Sequence, residues 1–212
     1  LTPNANFRAS IVMSMVLWRF CCAASPLVAM SISLERVVAG GQTGVDQAAL
    51  AAAHELGLAT GGWCPPGCVD EKGPIGPMAE TWDLKALPTK LWDEHQGFFE
   101  SLKISFNSTD IWARRTLMNA LDSSGTLTIL PQEVTVVDGT NLGIDVVKAL
   151  KKPLLVLAAT WKREDDLVFK TWLQENEIHV LNINGPRESS MPGIHDESKI
   201  LFRKLFASVL ER

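Results

Sequence analysis

The chain of 212 residues contains no tyrosine, although it has seven tryptophans and eight phenylalanines. It also has no excess of basic residues, since its formal net charge is −4, and it has no long run of Lys and Arg. Such a charge provides no general attraction to nucleic acid or to an anionic membrane surface. We therefore expect neither as a partner, and any bound anion must be held locally by backbone amides and a few arginines.

Metal-ligand spacings are also missing. The four histidines are isolated, and the four cysteines form one adjacent pair, Cys21 and Cys22, and one spaced pair, Cys64 and Cys68. A zinc site usually needs two close-spaced pairs of ligands, so we predict no metal site, with zinc at Cys64 and Cys68 as the alternative. We expect free thiols in a reducing, cytoplasmic setting, because a disulfide between Cys64 and Cys68 requires export.

The first thirty residues differ from the rest of the chain. Their apolar run 11–18 is followed by Arg19. This run is shorter than the roughly 20 apolar residues that a membrane-spanning helix needs. We expect residues 1–30 to form a poorly ordered extension and residues 31–212 to form a single domain. A signal peptide and a natural start at Met30 are the alternatives for this region.

A glycine-rich turn between a strand and a helix organises the remaining chain. Residues 37–39 read as a short buried strand, and residues 43–56 have the composition and apolar face of a helix. Between them, Gly40, Gly41 and Gly44 permit a tight turn and close approach of a ligand. This layout directs backbone N–H groups and the positive end of a helix at an anion, so we predict a phosphate or oxyanion pocket above residues 40–46. A tight turn without a ligand is the alternative.

Downstream, apolar strands alternate with amphipathic helices. We predict strands at 58–62, 126–130, 154–158 and 178–183, and helices at 110–121, 142–150, 164–175 and 195–211. Residues 78–109 show no clear period and are predicted to be a loop insertion. The alternation predicts an α/β, Rossmann-like, doubly wound and mainly parallel sheet with helices on both faces. Ligands of such sheets bind beyond the carboxyl ends of the strands, where we expect segments 40–46, 138–141 and 184–189 to converge.

A set of ordered motifs between about residues 35 and 198 resembles the "putative molybdenum carrier" family. These motifs are Gly40-Gly-Gln-Thr-Gly-Val-Asp46, Gly61-Gly-Trp-Cys-Pro65, Gly73-Pro-Ile75, Arg115-Thr116 with Asn119, Asp122-Ser-Ser-Gly-Thr126, Gly139-Thr140, Leu181-Asn-Ile-Asn-Gly-Pro-Arg-Glu-Ser189 and Pro192-Gly-Ile194. The family is similar to the Rossmann-like superfamily of LOG (lysine-decarboxylase-like) proteins, which bind nucleotides. The resemblance implies a homo-oligomer, a dimer or tetramer, with a pocket at the glycine segments for molybdenum cofactor, molybdate or a nucleotide.

Several residue types suit such a pocket. Arg115 and Arg187 are candidate anion clamps, Asp46 can hold a ribose hydroxyl or a metal, and Lys72 can close over a ligand. The adjacent Arg114 cannot share a helical face with Arg115, so one of the two pairs elsewhere. The candidate ligand-binding residues are Gly40, Gly41, Gln42, Thr43, Gly44, Asp46, Lys72, Arg115, Asp122, Gly139, Thr140, Asn141, Gly185 and Arg187.

No catalytic residue is assigned. LOG-type hydrolases carry a catalytic glutamate in a glycine motif, and Gly143 stands at that place here. Our leading hypothesis is therefore a binding or carrier protein for a small phosphorylated or oxyanion ligand rather than an enzyme. The rival is a LOG-like nucleoside monophosphate glycosidase that uses Asp46, Asp122 or Glu188 as its acid. A nucleotide-sensing module is a third hypothesis.

Overall fold

The computed structural model of the protein describes residues 34–131 and 139–210. The prediction of a poorly ordered segment at residues 1–30 lies outside this part of the chain. Among the described residues, none of the helices combines the length and apolar character that crossing a membrane requires.

The described residues form eight strands and seven helices. The strands are β1 (Arg36–Val38), β2 (Ala59–Cys64), β3 (Val69–Asp70), β4 (Gly73–Pro74), β5 (Leu84–Ala86), β6 (Gly125–Ile129), β7 (Leu154–Leu157) and β8 (Val180–Asn184). The helices are α1 (Val45–Glu55), α2 (Gly76–Thr81), α3 (Thr89–Ser101), α4 (Ile111–Leu121), α5 (Gly139–Ala149), α6 (Arg163–Glu175) and α7 (Ile194–Leu210).

Six of the strands form one parallel sheet in the order β5-β2-β1-β8-β6-β7, and β3 and β4 form a separate antiparallel hairpin. From β1 the chain builds one side of the sheet through β2 and β5. It then crosses to the other side, where β6 and β7 form the far edge and β8 returns between β1 and β6. This is the doubly wound arrangement, so the predicted Rossmann-like α/β fold is confirmed.

Helices cover both faces of the sheet, and the alternation of side chains along each strand explains why. In β6, Leu127 and Ile129 belong to the core beneath α1, α6 and α7, whereas Thr126 and Thr128 point to the opposite face. On that opposite face, α3, α4 and α5 share a second apolar cluster that includes Trp92, Leu117, Met118, Val146 and Val147.

A buried polar ladder joins β8 to β6 on the second face. The side-chain amide of Asn182 donates to the hydroxyl of Thr126 at 3.1 Å, and that of Asn184 donates to the hydroxyl of Thr128 at 3.2 Å. Asn184 also donates to the backbone carbonyl of Thr140 at 2.9 Å. Asn184 thereby fixes the first turn of α5 against the carboxyl end of β8.

The prediction of a loop insertion at residues 78–109 is wrong, because α2 reaches into this range and β5 and α3 lie within it. Trp92 and Phe99 are seven residues apart, which is about two helical turns, so they lie on one face of α3. Both are buried, and their rings stack with centroids 5.7 Å apart. β5 is the edge strand beside β2.

Cys64 and Cys68 are joined by a disulfide, so the prediction of free thiols is wrong for this pair. The three intervening residues form a tight turn in which the Cys68 N–H donates to the carbonyl of Pro65 at 2.8 Å. Cys21 and Cys22 lie outside the described residues.

Candidate functional site

A cavity of about 110 Å³, which we call the rim cavity, lies at the carboxyl edge of the sheet. Segments 40–46, 138–141 and 184–189 meet here, since each contributes residues to the wall of the cavity. Asp138, the first residue of the second segment, lies outside the described residues. The lining residues are Gln42, Asp46, Asp110, Trp112, Ala113, Arg115, Thr116, Gly139, Thr140, Leu142, Asn184, Gly185 and Arg187. Seven of the predicted ligand-binding residues are among them.

An ion pair between Asp46 and Arg115 forms one wall of the rim cavity. Arg115 Nη1 lies 3.0 Å from Asp46 Oδ2, and both side chains are largely buried. A Cβ at position 40 would lie 1.9 Å from Arg115 Nη1, so Gly40 is needed for the guanidinium to reach Asp46. Burial raises the pKa of Asp46, although the charge of Arg115 and hydrogen bonds from backbone N–H groups oppose this effect.

Two buried nitrogen donors in this wall have no hydrogen-bond partner within the described part of the chain. They are Nε2 of Gln42 and Nε of Arg115. The other end of the Gln42 amide, Oε1, accepts from the N–H groups of Thr43 and Glu71, both at 2.9 Å. Those two bonds determine which end of the amide is the nitrogen. Because buried donors are nearly always satisfied, an acceptor atom of a ligand or of an ordered water is expected beside each of them.

Two helices begin at the rim cavity. The first two turns of α4 contribute Trp112 and Arg115, and Asp110 caps the helix by accepting from the Trp112 N–H at 2.8 Å. The first turn of α5 contributes Gly139 and Thr140. A helix N-terminus carries partial positive charge, so both helix ends favour a negatively charged group between them.

Three N–H groups of the glycine turn and the start of α1 bond within the protein rather than to a ligand. The N–H of Gln42 donates to Asp46 at 3.2 Å, that of Thr43 to Gln42 Oε1, and that of Val45 to the carbonyl of Pro186 at 3.2 Å. A Cβ on Gly44 would lie 2.5 Å from the same Pro186 carbonyl oxygen, and φ at Gly44 is 78°. These three N–H groups are therefore already paired within the protein.

The remaining predicted residues lie outside the lining of the rim cavity. The Thr43 hydroxyl donates to Glu71, and Gly41 packs against Leu84. Lys72 is exposed between β3 and β4, and Asn141 is exposed on α5.

Asp122 lies at the far end of α4, about 10 Å along the helix from Arg115 at a rise of about 1.5 Å per residue. There it accepts from Trp63 Nε1 at 2.6 Å, beside a second cleft of about 220 Å³. The adjacent arginines separate as expected, since Arg114 leaves the pocket and lies 5.3 Å from the Trp92 ring centroid.

Residues 37–206 match the family model of cpYpsA, the circularly permutated YpsA SLOG family. The chain belongs to this family. It is also similar to the "putative molybdenum carrier protein" of Syntrophus aciditrophicus SB, whose crystal structure was determined at 1.45 Å resolution. The two chains share 28% sequence identity with a TM-score of 0.66 over 84% of this chain and 98% of the other. No curated protein sequence matches the chain. The resemblance drawn from the sequence motifs is therefore confirmed.

Within this cpYpsA chain, Gly143 has no room for a side chain. A Cβ at this position would lie 2.5 Å from the amide group of Asn184, whose bonds hold β6, β8 and α5 together. The catalytic glutamate of LOG-type hydrolases therefore cannot be accommodated here without displacing Asn184.

Several lining residues of the cpYpsA site were not predicted individually. Trp112 provides a half-buried indole, and Asn184 provides the link to α5. Asn182 and Asn184 alternate with apolar residues in β8, and this alternation is a readable signal of a buried polar ladder. No sequence pattern indicates that Trp112 lines the cavity, because the position of its side chain depends on how α4 is oriented against the sheet.

Proposed function

We propose that this protein binds and carries a small ligand whose phosphate or other oxyanion group occupies the rim cavity. The observation that carries the proposal is the pair of buried, unpartnered donors, Gln42 Nε2 and Arg115 Nε. Leaving a buried donor unsatisfied costs about 1–3 kcal/mol, so an acceptor-rich ligand would recover this energy on binding.

Charge and size support the same proposal. The guanidinium of Arg115 and the N-termini of α4 and α5 favour an anion. A volume of about 110 Å³ suits a single compact group rather than a whole ligand. Pockets for drug-sized ligands run from roughly 300 to 1,000 Å³, so the rest of a larger ligand would extend outward. Trp112 borders the cavity and offers a planar surface on which a heterocycle can stack.

The ligand classes that we propose are molybdenum cofactor, which combines a pterin with a phosphate, molybdate itself, or a nucleotide. The name of the similar "putative molybdenum carrier protein" supports the first two. Transport or storage rather than hydrolysis is supported by the lack of space at Gly143.

One acid from the rival glycosidase hypothesis stays relevant to this site. Asp46 lines the rim cavity, whereas Asp122 does not, and Glu188 accepts from the backbone N–H groups of Gly193 and His195 at the start of α7. Incubation with nucleoside monophosphates tests the rival directly. Released base that depends on Asp46 would favour an enzyme over a carrier.

The carrier proposal is tested by titrating molybdate, phosphate and a nucleoside monophosphate into the protein in a calorimeter. Mass spectrometry and metal analysis of the protein as purified identify any retained ligand. We expect Arg115→Gln to weaken binding about ten- to hundredfold, because hydrogen bonds to a charged group contribute about 1.5–3 kcal/mol.

Arg163→Gln is the matched control for this titration, since it removes an exposed arginine at the start of α6. Its affinity should equal that of the wild-type protein. The proposal fails if none of the anions binds, or if Arg115→Gln is folded by circular dichroism and binds as tightly as the control.

We also propose that the chain forms a homo-oligomer. The family resemblance supports this, and so does the edge strand β7, in which Val156 is 45% exposed. Light scattering that finds a monomer at working concentration would contradict it.

A further inference from the structure

The hairpin of β3 and β4 connects the Cys64–Cys68 disulfide to the rim cavity. Cys68 immediately precedes β3, and Glu71 lies in the turn between β3 and β4. The N–H of Glu71 donates to Gln42 Oε1 at 2.9 Å, so the tip of the hairpin helps to orient the amide. The other end of that amide, Nε2, is one of the two donors without a partner among the described residues. The hairpin is thus covalently anchored at one end and reaches the site at the other.

The tip of the hairpin also holds a second segment of the cavity wall. The Glu71 carboxylate accepts from the Ser189 N–H at 3.1 Å, and Ser189 lies two residues after Arg187, which lines the cavity. β3 and β4 have two residues each, and so short a hairpin is marginally stable at best in water. Its position therefore depends on its anchors, which include the disulfide, the buried side chain of Ile75 and a hydrogen bond from α1 to Asp70.

Cys68 is held in an uncommon backbone conformation. Its φ is 43°, in the left-handed region that residues other than glycine seldom adopt. Two restraints act on it: the disulfide to Cys64, and the hydrogen bond from its own N–H to the carbonyl of Pro65. When the covalent restraint is removed, Cys68 is freer to leave this conformation and to carry the start of β3 with it.

We propose that the Cys64–Cys68 disulfide is a redox switch for anion binding at the rim cavity. The protein retains its ligand while the disulfide is intact and releases it more readily once a dithiol has reduced the disulfide. This inference rests on the proposed anion-binding function and adds its regulation. Reduction loosens the hairpin, so the Glu71 N–H no longer holds Gln42 Oε1 in place. The donor Nε2 is then less often directed at the ligand.

The two sulfur atoms differ in their access to a reductant. Cys64 is completely buried, whereas Cys68 is partly exposed. A thiolate of the dithiol therefore attacks Cys68 Sγ, and Cys64 leaves as a thiolate that takes up a proton. The second thiol of the dithiol then attacks the mixed disulfide and releases Cys68. The dithiol becomes a disulfide, and the two cysteines together gain two electrons and two protons.

Calorimetric titration of phosphate into the oxidised protein and into the protein reduced with dithiothreitol tests the switch. We expect reduction to weaken phosphate binding about three- to tenfold, which corresponds to the loss of one neutral hydrogen bond. Mass spectrometry of the peptide that contains Cys64 and Cys68 follows the reaction, because reduction adds two hydrogen atoms to it. A peptide that never contains the disulfide, even after oxidation, would overturn the proposal.

Cys68→Ser removes the disulfide permanently and keeps the size of the side chain. Its phosphate affinity should equal that of the reduced wild-type protein, and dithiothreitol should not change it further. The matched control carries both Cys21→Ser and Cys22→Ser, which replace the other two cysteines of the chain. This double variant should bind phosphate as the wild-type protein does and should keep the full response to the reductant.

Hydrogen exchange provides a readout that does not depend on binding. The N–H of Glu71 donates to Gln42, and the N–H of Ile75 donates to the Cys68 carbonyl at 2.9 Å. Both should exchange at least about threefold faster in the reduced protein, because a looser hairpin opens more often. The N–H groups of β6, which lies inside the six-stranded sheet, should exchange at the same rate in both states.

The possible outcomes separate this inference from the function on which it rests. If reduction leaves phosphate affinity unchanged, or if folded Cys68→Ser binds as tightly as the oxidised protein, the inference is overturned and the anion site stands. A loss of affinity without faster exchange at Glu71, or a response that disappears in the double variant, overturns it as well. If the oxidised protein binds no anion at all, both fall.

Discussion

At the scale of single residues, the site depends on how Gln42 is held. Its Oε1 accepts from the Thr43 N–H next to it and from the Glu71 N–H, 29 residues further along the chain. Its Nε2 is thereby left as a buried donor. The sequence predicted Gln42 near the pocket because it lies in the glycine segment after a strand, and Arg115 because one of two adjacent arginines on a helix can reach an anion. It assigned anion binding to the turn amides instead, because a bond that spans 29 residues has no local signature.

The Arg115 side chain packs directly against Gly40, so a substitution at Gly40 tests the position of the guanidinium. Gly40→Ala adds a methyl group 1.9 Å from Arg115 Nη1, so the guanidinium must move away from Asp46. We expect a loss of about 1–3 kcal/mol in the free energy of unfolding, typical of overpacking. Anion affinity should fall at least about tenfold although no charge changes.

Gly97→Ala is the control for this substitution, since a Cβ at Gly97 meets no atom within 4 Å on α3. It should leave anion affinity unchanged and raise stability by about 0.5–1 kcal/mol, as expected for an alanine within a helix. Urea denaturation and calorimetry measure the two quantities. Equal affinity of Gly40→Ala and Gly97→Ala would contradict the role of Arg115.

At the scale of elements, the first turn of α5 is positioned by β8 rather than by its own sequence. Thr140, which the sequence predicts as the cap of a helix beginning near 142, lies within the first turn because α5 begins at Gly139. Its carbonyl accepts from Asn184, and its side chain is buried beside the rim cavity. Periodicity could predict that a helix exists here. The place of its first turn depends on Asn184, 44 residues later.

Substitutions of Asn182 and Asn184 in β8 distinguish an effect on stability alone from an effect on stability and anion binding. Asn184→Ala removes the bonds to Thr128 and to α5, whereas Asn182→Ala removes the bond to Thr126 and touches no helix end. Each should lower the free energy of unfolding by about 1–3 kcal/mol, because each leaves a buried polar group without its partner. Only Asn184→Ala should also weaken anion binding. Equal loss of affinity in both variants would refute the assignment of α5 to the site.

At the scale of the whole molecule, Glu71 connects three separate parts of the chain. It follows β3, its carboxylate accepts from Thr43 in the glycine turn, and it accepts from the N–H of Ser189 at 3.1 Å in the segment after β8. Burial alone would raise the pKa of Glu71, but hydrogen bonds from Ser189 and Thr43 outweigh it and the pKa is lowered from 4.5.

The sign of this shift predicts how stability depends on pH. Because the pKa of Glu71 is lower in the folded protein than the unfolded value of 4.5, its contribution is present above pH 4.5 and is lost as the pH falls through the folded value. Glu71→Gln should therefore lower the free energy of unfolding near neutral pH by roughly 1–2 kcal/mol. This is less than a fully buried charged hydrogen bond would contribute, because the Glu71 side chain is partly exposed to solvent. Its difference from the wild-type protein should shrink in acid.

Glu80→Gln, at an exposed position on α2, is the control and should have no such pH-dependent effect. Urea denaturation across the acid range measures both variants. A difference for Glu71→Gln that stays constant down to low pH would show that the carboxylate charge is not what holds the three segments.

The parallel sheet and its two helical layers could be predicted from the sequence, because continuous apolar strands and amphipathic helices alternate along most of the chain. Residues 78–109 were not, because Trp92 and Phe99 lie among other aromatic residues that mask the helical period of α3. The meeting of three glycine segments at one edge followed from parallel topology. Which atoms they present there depended on contacts between distant residues.

The most direct measurement is a crystal structure of the protein soaked with phosphate. We expect a bound tetrahedral ion with oxygens within hydrogen-bonding distance of Gln42 Nε2 and Arg115 Nε. A rim cavity that contains only water, or a phosphate bound elsewhere with these two donors still unpartnered, would contradict it.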